Sequence, residues 1–266
     1  MIYGTDALVL REVAVGEHDK ILTLLSPSEG QITVSAKGVR SSRSKLGPAT
    51  KLFTYGNYEL YKKGEYRYIK DFSVIEPFFG LSRDIESMAL ASYLCEVACD
   101  ITGEGVSSVD VLRMTLNSFY ALSKELYPRP IIKAVYEMRA AGFSGFMPDL
   151  EYCHVCGNTA PKEAMLDVMN GCIYCKDCSQ KHLDAAQKEM YDNPELSERI
   201  VYCRLTQSSI TAMKYALQAP SERMFSFDLT DEAEMRYFSH AAETYLLHHL
   251  ERDFATLNFY KSLLRT

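Results

Sequence analysis

Four cysteines are the first residues whose type and spacing could do chemistry. Cys153 and Cys156 form one C-x2-C pair, and after eighteen intervening residues Cys175 and Cys178 form another. That interval lies inside the window of a four-thiolate zinc site. Two cysteines three apart on a tight turn aim both sulfurs at one point, and two such knuckles complete a tetrahedron with Zn–S bonds of about 2.3 Å. Gly157 follows the first pair, where a knuckle commonly needs a positive φ, and Asn170-Gly171 is a turn signal that returns the chain to the second. Disulfides and free buried thiols are the plainer readings, but five of the eight cysteines fall within residues 153–178, which argues against chance. Cys172 makes another C-x2-C with Cys175 and could replace Cys178, and His154 and His182 are possible substitutes. The preferred set is Cys153, Cys156, Cys175 and Cys178, two symmetric knuckles with Cys172 as a bystander. Four thiolates leave no open position for a catalytic water, so one Zn2+ per chain would be structural. A rubredoxin-like iron site has similar spacing, and the sequence leaves zinc or iron open.

A second group is cationic. Lys37, Arg40, Arg43 and Lys45 lie within nine residues, interleaved with glycine and serine, and Lys51, Lys62, Lys63, Arg67 and Lys70 continue the charge. Residues 37–70 carry nine basic against two acidic side chains, although the 266-residue chain has a formal charge of −6. Residues 1–80 carry a net +2 and residues 81–266 a net −8, so the overall pI of 5.6 hides a local basic region. Lys37, Arg40, Arg43, Lys45, Lys51, Lys62, Lys63 and Arg67 are therefore candidate DNA contacts, the first four on a loop expected to be exposed and mobile. The plainer alternative is a solvated loop whose charge keeps the protein soluble. Phe53, Tyr55, Tyr58, Tyr61, Tyr66, Tyr68 and Phe72 accompany the cations and could stack on bases. Strand alternation turns about half of them inward, so no single ring is assigned that role.

The elements that must carry these groups follow from periodicity. Five short strands are predicted, at Ala7–Leu10, Ile21–Leu25, Ile32–Ala36 and about Leu52–Tyr61 and Tyr66–Ile75, with Lys62-Lys63-Gly64-Glu65 as a hairpin turn. Five strands in about 75 residues fit a small closed barrel, of which the OB-fold is the expected form. From Ser82 the period becomes helical: Leu90, Leu94, Val97 and Ile101 mark one helix, and Leu112, Leu116, Phe119, Leu122 and Leu126 a second. Pro130 opens a third over Ile131–Ala141. Residues 145–180 read as an irregular metal segment, and helices resume near Glu195. The longest begins after Thr230 as N-cap, with Met235, Phe238, Ala242, Tyr245 and His249 on its apolar stripe. The fold class is α+β: an N-terminal five-stranded OB-fold β-barrel over 1–80, then an α-helical domain over 81–266 with an inserted four-cysteine zinc finger at about 145–182.

Enzyme signatures do not occur. G-x4-G-K-[ST], H-E-x-x-H, G-x-S-x-G and G-x-G-x-x-G are all missing. A zinc deaminase would need H-x-E upstream of P-C-x-x-C, and no proline precedes either cysteine pair. His248-His249 reads as helix surface, and Cys95, Cys99 and Cys203 read as core. A non-enzymatic protein is expected. No signal-peptide pattern opens the chain and no apolar run approaches the roughly 18 residues that span a bilayer, so no membrane partner is expected. Thiols without a secretory signal point to the reducing cytoplasm.

Several local motifs occur in a telling order. The first group is Ala7-Leu8-Val9-Leu10-Arg11, Gly16-Glu17-His18-Asp19-Lys20-Ile21-Leu22-Thr23-Leu24-Leu25, Ala36-Lys37-Gly38-Val39-Arg40 and Ser44-Lys45. The second is Tyr136-Glu137-Met138-Arg139, then Gly145-Phe146-Met147-Pro148-Asp149-Leu150-Glu151-Tyr152 running into Cys153–Gly157. Together they resemble the bacterial RecO recombination mediator family over about the first 180 residues; the remaining helices fit only in pattern. The resemblance implies an OB domain, a helical domain with a zinc finger, binding of single- and double-stranded DNA, and annealing of complementary strands. It also implies partnership with RecR and with the C-terminal tail of single-strand-binding protein (SSB), through which RecA is helped to load, in a nucleoid-associated, cytoplasmic setting. Asn170-Gly171 departs from the usual Gly-Gly, and Cys172 is an extra thiol. Some family members lack the cysteines, which implies a structural metal. A reading of another class also stands: a zinc-stabilised adaptor that binds proteins and makes no direct DNA contact.

Overall fold

The structure, a computed structural model, describes residues 1–41, 43–181 and 201–264. Alternating apolar side chains at its N-terminal end build five strands: β1 (Ile2–Val15), β2 (Asp19–Ser26), β3 (Gly30–Ala36), β4 (Tyr55–Lys63) and β5 (Tyr66–Glu76). They close in the order β1-β2-β3-β5-β4, the expected OB-fold. β1 serves two neighbours, pairing with β4 over Ile2–Leu8 and with β2 over Leu8–Val15. A register shift between Val9 and Arg11 bends it from one to the other. Closure is a parallel pairing of β3 and β5 at Ser35 and Tyr68. Leu22, Leu24, Ile32, Val34, Tyr58 and Leu60 point inward, and burying each large aliphatic stabilises the barrel by about 1.5–3 kcal/mol.

β4 starts three residues later than its predicted start at Leu52. Pro48–Thr50 form a 3-10 turn and Phe53 adopts φ +68°, which breaks the strand and turns the ring edge-on against Phe119. The helices of the described residues are α1 (Ile85–Ile101), α2 (Val109–Ser123), α3 (Arg129–Phe143), α4 (Gln207–Gln218), α5 (Glu232–Leu250) and α6 (Ala255–Leu263), besides a helical segment from residue 176 to 181. The resumption of helix expected near Glu195 lies outside the described residues. Asp231, not Thr230, caps α5, because its carboxylate reaches the N–H groups of Ala233 and Glu234.

The chain forms two compact units: Met1–Leu126 with the segment from Phe254 onward, and Tyr127–Asp253. In the first unit the β2–β3 turn meets the loop after α1. Gln31 N–H donates to the Gly103 carbonyl at 3.1 Å, and Gly105 N–H donates to the Glu29 carbonyl at 2.7 Å. Gly30 makes this approach possible. Its φ is +64°, and a Cβ there would sit 2.1 Å from the Gly103 carbonyl oxygen. Gly30→Ala is therefore expected to destabilise this unit by about 1–3 kcal/mol or more, through left-handed strain and displacement of rigid backbone. Urea denaturation reads the loss; an unshifted midpoint would mean that the loop yields freely.

The second unit packs α3 on α5. Lys133 is buried between Glu137 at 2.8 Å and Glu243 at 2.7 Å, a charge triad that ties the two helices. The metal segment is a sheet rather than irregular chain. β6 (Asp149–Cys153), β7 (Glu163–Asp167), β8 (Cys172–Cys175) and β9 (Tyr202–Thr206) lie in the order β6-β8-β7-β9. Strands of four or five residues carry little alternation, and β7 pairs with a strand almost forty positions along the chain, so local pattern did not betray them.

Candidate metal centre and nucleic-acid interface

Two turns build the candidate metal centre. The first follows β6: Gly157 adopts φ +74° and returns its N–H to the Cys153 carbonyl at 2.9 Å, folding Cys156 back beside Cys153. The second joins β8 to the helical segment at residue 176, placing Cys175 on a strand end and Cys178 in a first helical turn. Asn170-Gly171 closes the β7–β8 turn as expected. Gly171 adopts φ +63°, and Asn170 donates to both carboxylate oxygens of Asp167. The Sγ atoms of Cys153, Cys156, Cys175 and Cys178 all lie within 4.8 Å of one another. Cys156 and Cys175 are 3.7 Å apart, against about 3.8 Å for the edge of a tetrahedron with bonds of about 2.3 Å.

The electrostatics favour a cation at this point. Burial raises the Cys153 thiol, but N–H groups of Cys175, Cys156 and Val155 outweigh it and hold it at about 6. Hydrogen bonding to Cys175 then pushes Cys178 up to about 12, with burial and the Cys156 and Cys153 sulfurs adding to the effect. One thiolate is welcome and several crowded together repel, a conflict that a dication relieves. The four residues therefore fit a tetrahedral metal, which would supply cross-linking rather than reactivity.

Cys172 is buried outside this cluster. It lies three positions from Cys175 on β8, which puts the two side chains on opposite faces of the sheet, and it is raised by burial and by Asp167 and Asp149. His154 is exposed and edge-on to Tyr174, whereas His182 lies outside the described residues.

The His248-His249 pair is not simply surface. His249 stacks on Phe146 at 4.7 Å, and its Nε2 donates to the Val168 carbonyl at 2.8 Å. Desolvation lowers its pKa, against the raising effect of the Val168 carbonyl. The unfolded state, with the ordinary value of about 6.5, therefore binds the proton more readily. The stability tied to neutral His249 is complete above that value and is lost progressively as pH falls below it through the lower folded-state value. Wild type should lose more stability than His249→Gln between about pH 7.5 and pH 5.5 in urea titrations. Parallel losses would refute the assignment.

The cationic loop is anchored at several of its described residues. Successive turn hydrogen bonds run from Gly38 to Lys51, and Val39, Leu46 and Ala49 plug the barrel end, so apolar residues hidden among the polar ones anchor it. Lys37, Arg40, Arg43 and Lys45 all remain exposed. Arg40 donates from Nη1 to the Gly16 carbonyl at 2.8 Å, and Gly38 N–H donates to Asp19, which ties the loop to the β1–β2 turn. On the other flank the Lys37 ammonium lies 5.2 Å from the centre of the Tyr68 ring on β5. Lys62 and Lys63 are exposed at the end of β4 in the same hairpin. Lys51 is exposed too, but it stands two residues before Phe53, where the chain turns in against α2.

Arg67 is placed differently. It is only 8% exposed, with Nη1 2.8 Å from Glu104, Nη2 3.4 Å from Glu29 and Nε donating to the Tyr3 hydroxyl. Two carboxylates occupy its guanidinium, so it clasps the β2–β3 turn to the loop after α1 instead of facing a phosphate. Its partners are 38 and 37 residues away in sequence, beyond the reach of any local signal.

An OB barrel carrying an exposed cationic loop, in a chain with four cysteines close enough to hold a metal ion, defines an OB-fold protein with a candidate metal module. Two family models match the chain: Recombination protein O N terminal over residues 1–78 and Recombination protein O C terminal over residues 82–191. The chain belongs to the RecO family of DNA repair proteins. It is 26% identical to the DNA repair protein RecO of Acetivibrio thermocellus, over 97% of this chain and 96% of that protein. To the protein of the same description from Thermoanaerobacter sp. it is 26% identical, over 97% of each chain. To that of Caldanaerobacter subterraneus it is 29% identical, over 68% of this chain and 73% of the other. No helix of the described residues is long and apolar enough to cross a membrane.

Proposed function

We propose that this protein is a non-catalytic recombination mediator. It grips single- and double-stranded DNA with the cationic loop, anneals complementary strands and, with RecR and the SSB tail, assists RecA loading in the bacterial cytoplasm. The observation that carries this reading is the loop itself. Four cations stand exposed on it, with Arg40 bonded to the β1–β2 turn and Lys37 over Tyr68 of the β4–β5 hairpin. Those two turns flank the oligonucleotide-binding face in OB folds. Lys37, Arg40, Arg43 and Lys45 form the proposed contact, extended by Lys62 and Lys63; Lys51 is peripheral and Arg67 belongs to the fold. One Zn2+ held by Cys153, Cys156, Cys175 and Cys178 is the proposed cofactor, with a structural role.

The adaptor reading draws on the net −8 of residues 81–266, which repels phosphate and suits protein partners. Annealing of two complementary labelled strands by the full chain distinguishes the two. A mediator accelerates annealing at low salt and loses that effect steeply as salt rises, because phosphate contacts release counterions. A chain that leaves the annealing rate unchanged and binds neither strand at low salt is an adaptor.

A further inference from the structure

The β4–β5 hairpin carries aromatic rings that the barrel core does not use. Tyr58 and Leu60 point into the core, so after the register shift at Glu59/Leu60 the side chains of Tyr61 and Lys63 share the outer face. Their cross-strand partners on the same face are Tyr68 and Tyr66. Two successive pairs thus alternate ring–ring and cation–ring. Tyr61 and Tyr68 lie 6.5 Å apart and tilted by 32°, with the Lys37 ammonium over the Tyr68 ring. Tyr61 is 41% exposed and Tyr66 69% exposed, a large apolar surface to leave at a barrel mouth beside the exposed Lys37, Lys62 and Lys63. Cross-strand tyrosine pairing alone would stabilise the hairpin by under about 1 kcal/mol and gives no reason for the lysines to gather there.

We propose that Tyr61 and Tyr66 are stacking platforms for unpaired bases of a single strand, with Lys37 and Lys63 holding its phosphates. Tyr68 is a positioning residue: its ring fixes the Lys37 ammonium by cation–π attraction and supports Tyr61 from the next strand. The ligand class is a base-bearing single strand of any sequence, since every base offers a π-face. A duplex, whose bases are already stacked, gains only the phosphate contacts. The inference rests on the barrel being the DNA-binding unit, and it adds that this unit separates unpaired from paired strands.

The test uses the full chain with oligothymidine and with an abasic strand of equal length. Tyr61→Leu and Tyr66→Leu should each weaken oligothymidine binding by about tenfold and leave abasic binding and the salt slope unchanged. Tyr61→Phe, which keeps the ring, should bind as wild type does. The chain contains no tryptophan, so Tyr66→Trp provides a single indole. Its emission should be quenched by oligothymidine and not by the abasic strand. Leucine variants with wild-type affinity, or equal quenching by both strands, would overturn the stacking role while leaving phosphate binding by the barrel intact. A wild type that binds neither strand at low salt would overturn both.

Discussion

Cys175→Ser is expected to emerge from purification with its metal content reduced from about one per chain to near zero, and with the β6–β9 sheet loosened. Cys175 is the hinge of the site. Its Sγ lies 3.7 Å from that of Cys156, and its N–H donates to the Cys153 sulfur at 3.2 Å. Folding and metal binding are linked in such modules, where apparent zinc binding free energies reach about 10–16 kcal/mol in isolated finger peptides. The packed neighbours β9 and α4 should retain part of the fold here, so the loss falls short of that ceiling. Cys172→Ser should keep the metal, because Cys172 lies on the other face of β8. Elemental analysis of the Cys172, Cys175 and Cys178 variants settles the ligand set. Metal lost from Cys172→Ser but retained by Cys178→Ser would reverse it, and disulfides joining these cysteines in the native protein would dispose of the metal altogether.

Replacing Lys37, Arg40, Arg43 and Lys45 together by Ala should flatten the salt dependence of single-strand binding by about 3 in log K against log salt, at about 0.7 per phosphate neutralised. Over a fourfold rise in salt that slope corresponds to about 60-fold in affinity, so the variant should be weak at low salt and little worse at high salt. Different sequences should suffer alike, because phosphates carry no base information. Thermal stability should barely move, since all four side chains are exposed. Arg67→Ala is the complementary control: it should leave the slope alone and lower stability by removing the buried clasp between the β2–β3 turn and the loop after α1. Parallel salt plots for wild type and the quadruple variant would place the phosphate contacts elsewhere.

These two experiments fall where local pattern was most and least informative. The barrel was legible because Ile32 and Val34 alternate with Gln31, Thr33 and Ser35, and the period of two leaves one face buried. The cysteine knuckles were legible because ligand spacing is set by turn geometry within a few residues. Arg67 was not, because a basic residue on a basic strand looks like surface until Glu29 and Glu104 converge on it from separate turns. The anchoring of the cationic loop was hidden for a similar reason. Val39, Leu46 and Ala49 are too sparse to show a period, and only the barrel end gives them something to fill. The sheet around the metal escaped notice because its parallel β6–β8 pairing and its distant β9 belong to tertiary structure alone.

The course of the chain through its first unit bears on how it is made. α6, from Ala255, packs on α1; Phe254 meets Tyr93 edge-on at 5.6 Å, and Thr256 donates to Glu96. A ribosome releases the barrel and α1 early, then extrudes the whole 127–253 unit before the segment that completes the first unit arrives. At about 5–20 residues per second, that interval lasts several seconds or more. During it the groove on α1 that receives Phe254 and Leu257 stands open to water and to neighbouring nascent chains. A message truncated shortly before codon 254 would therefore yield a product with an intact metal module and an unfinished barrel unit, the reverse of what a missing tail ordinarily damages.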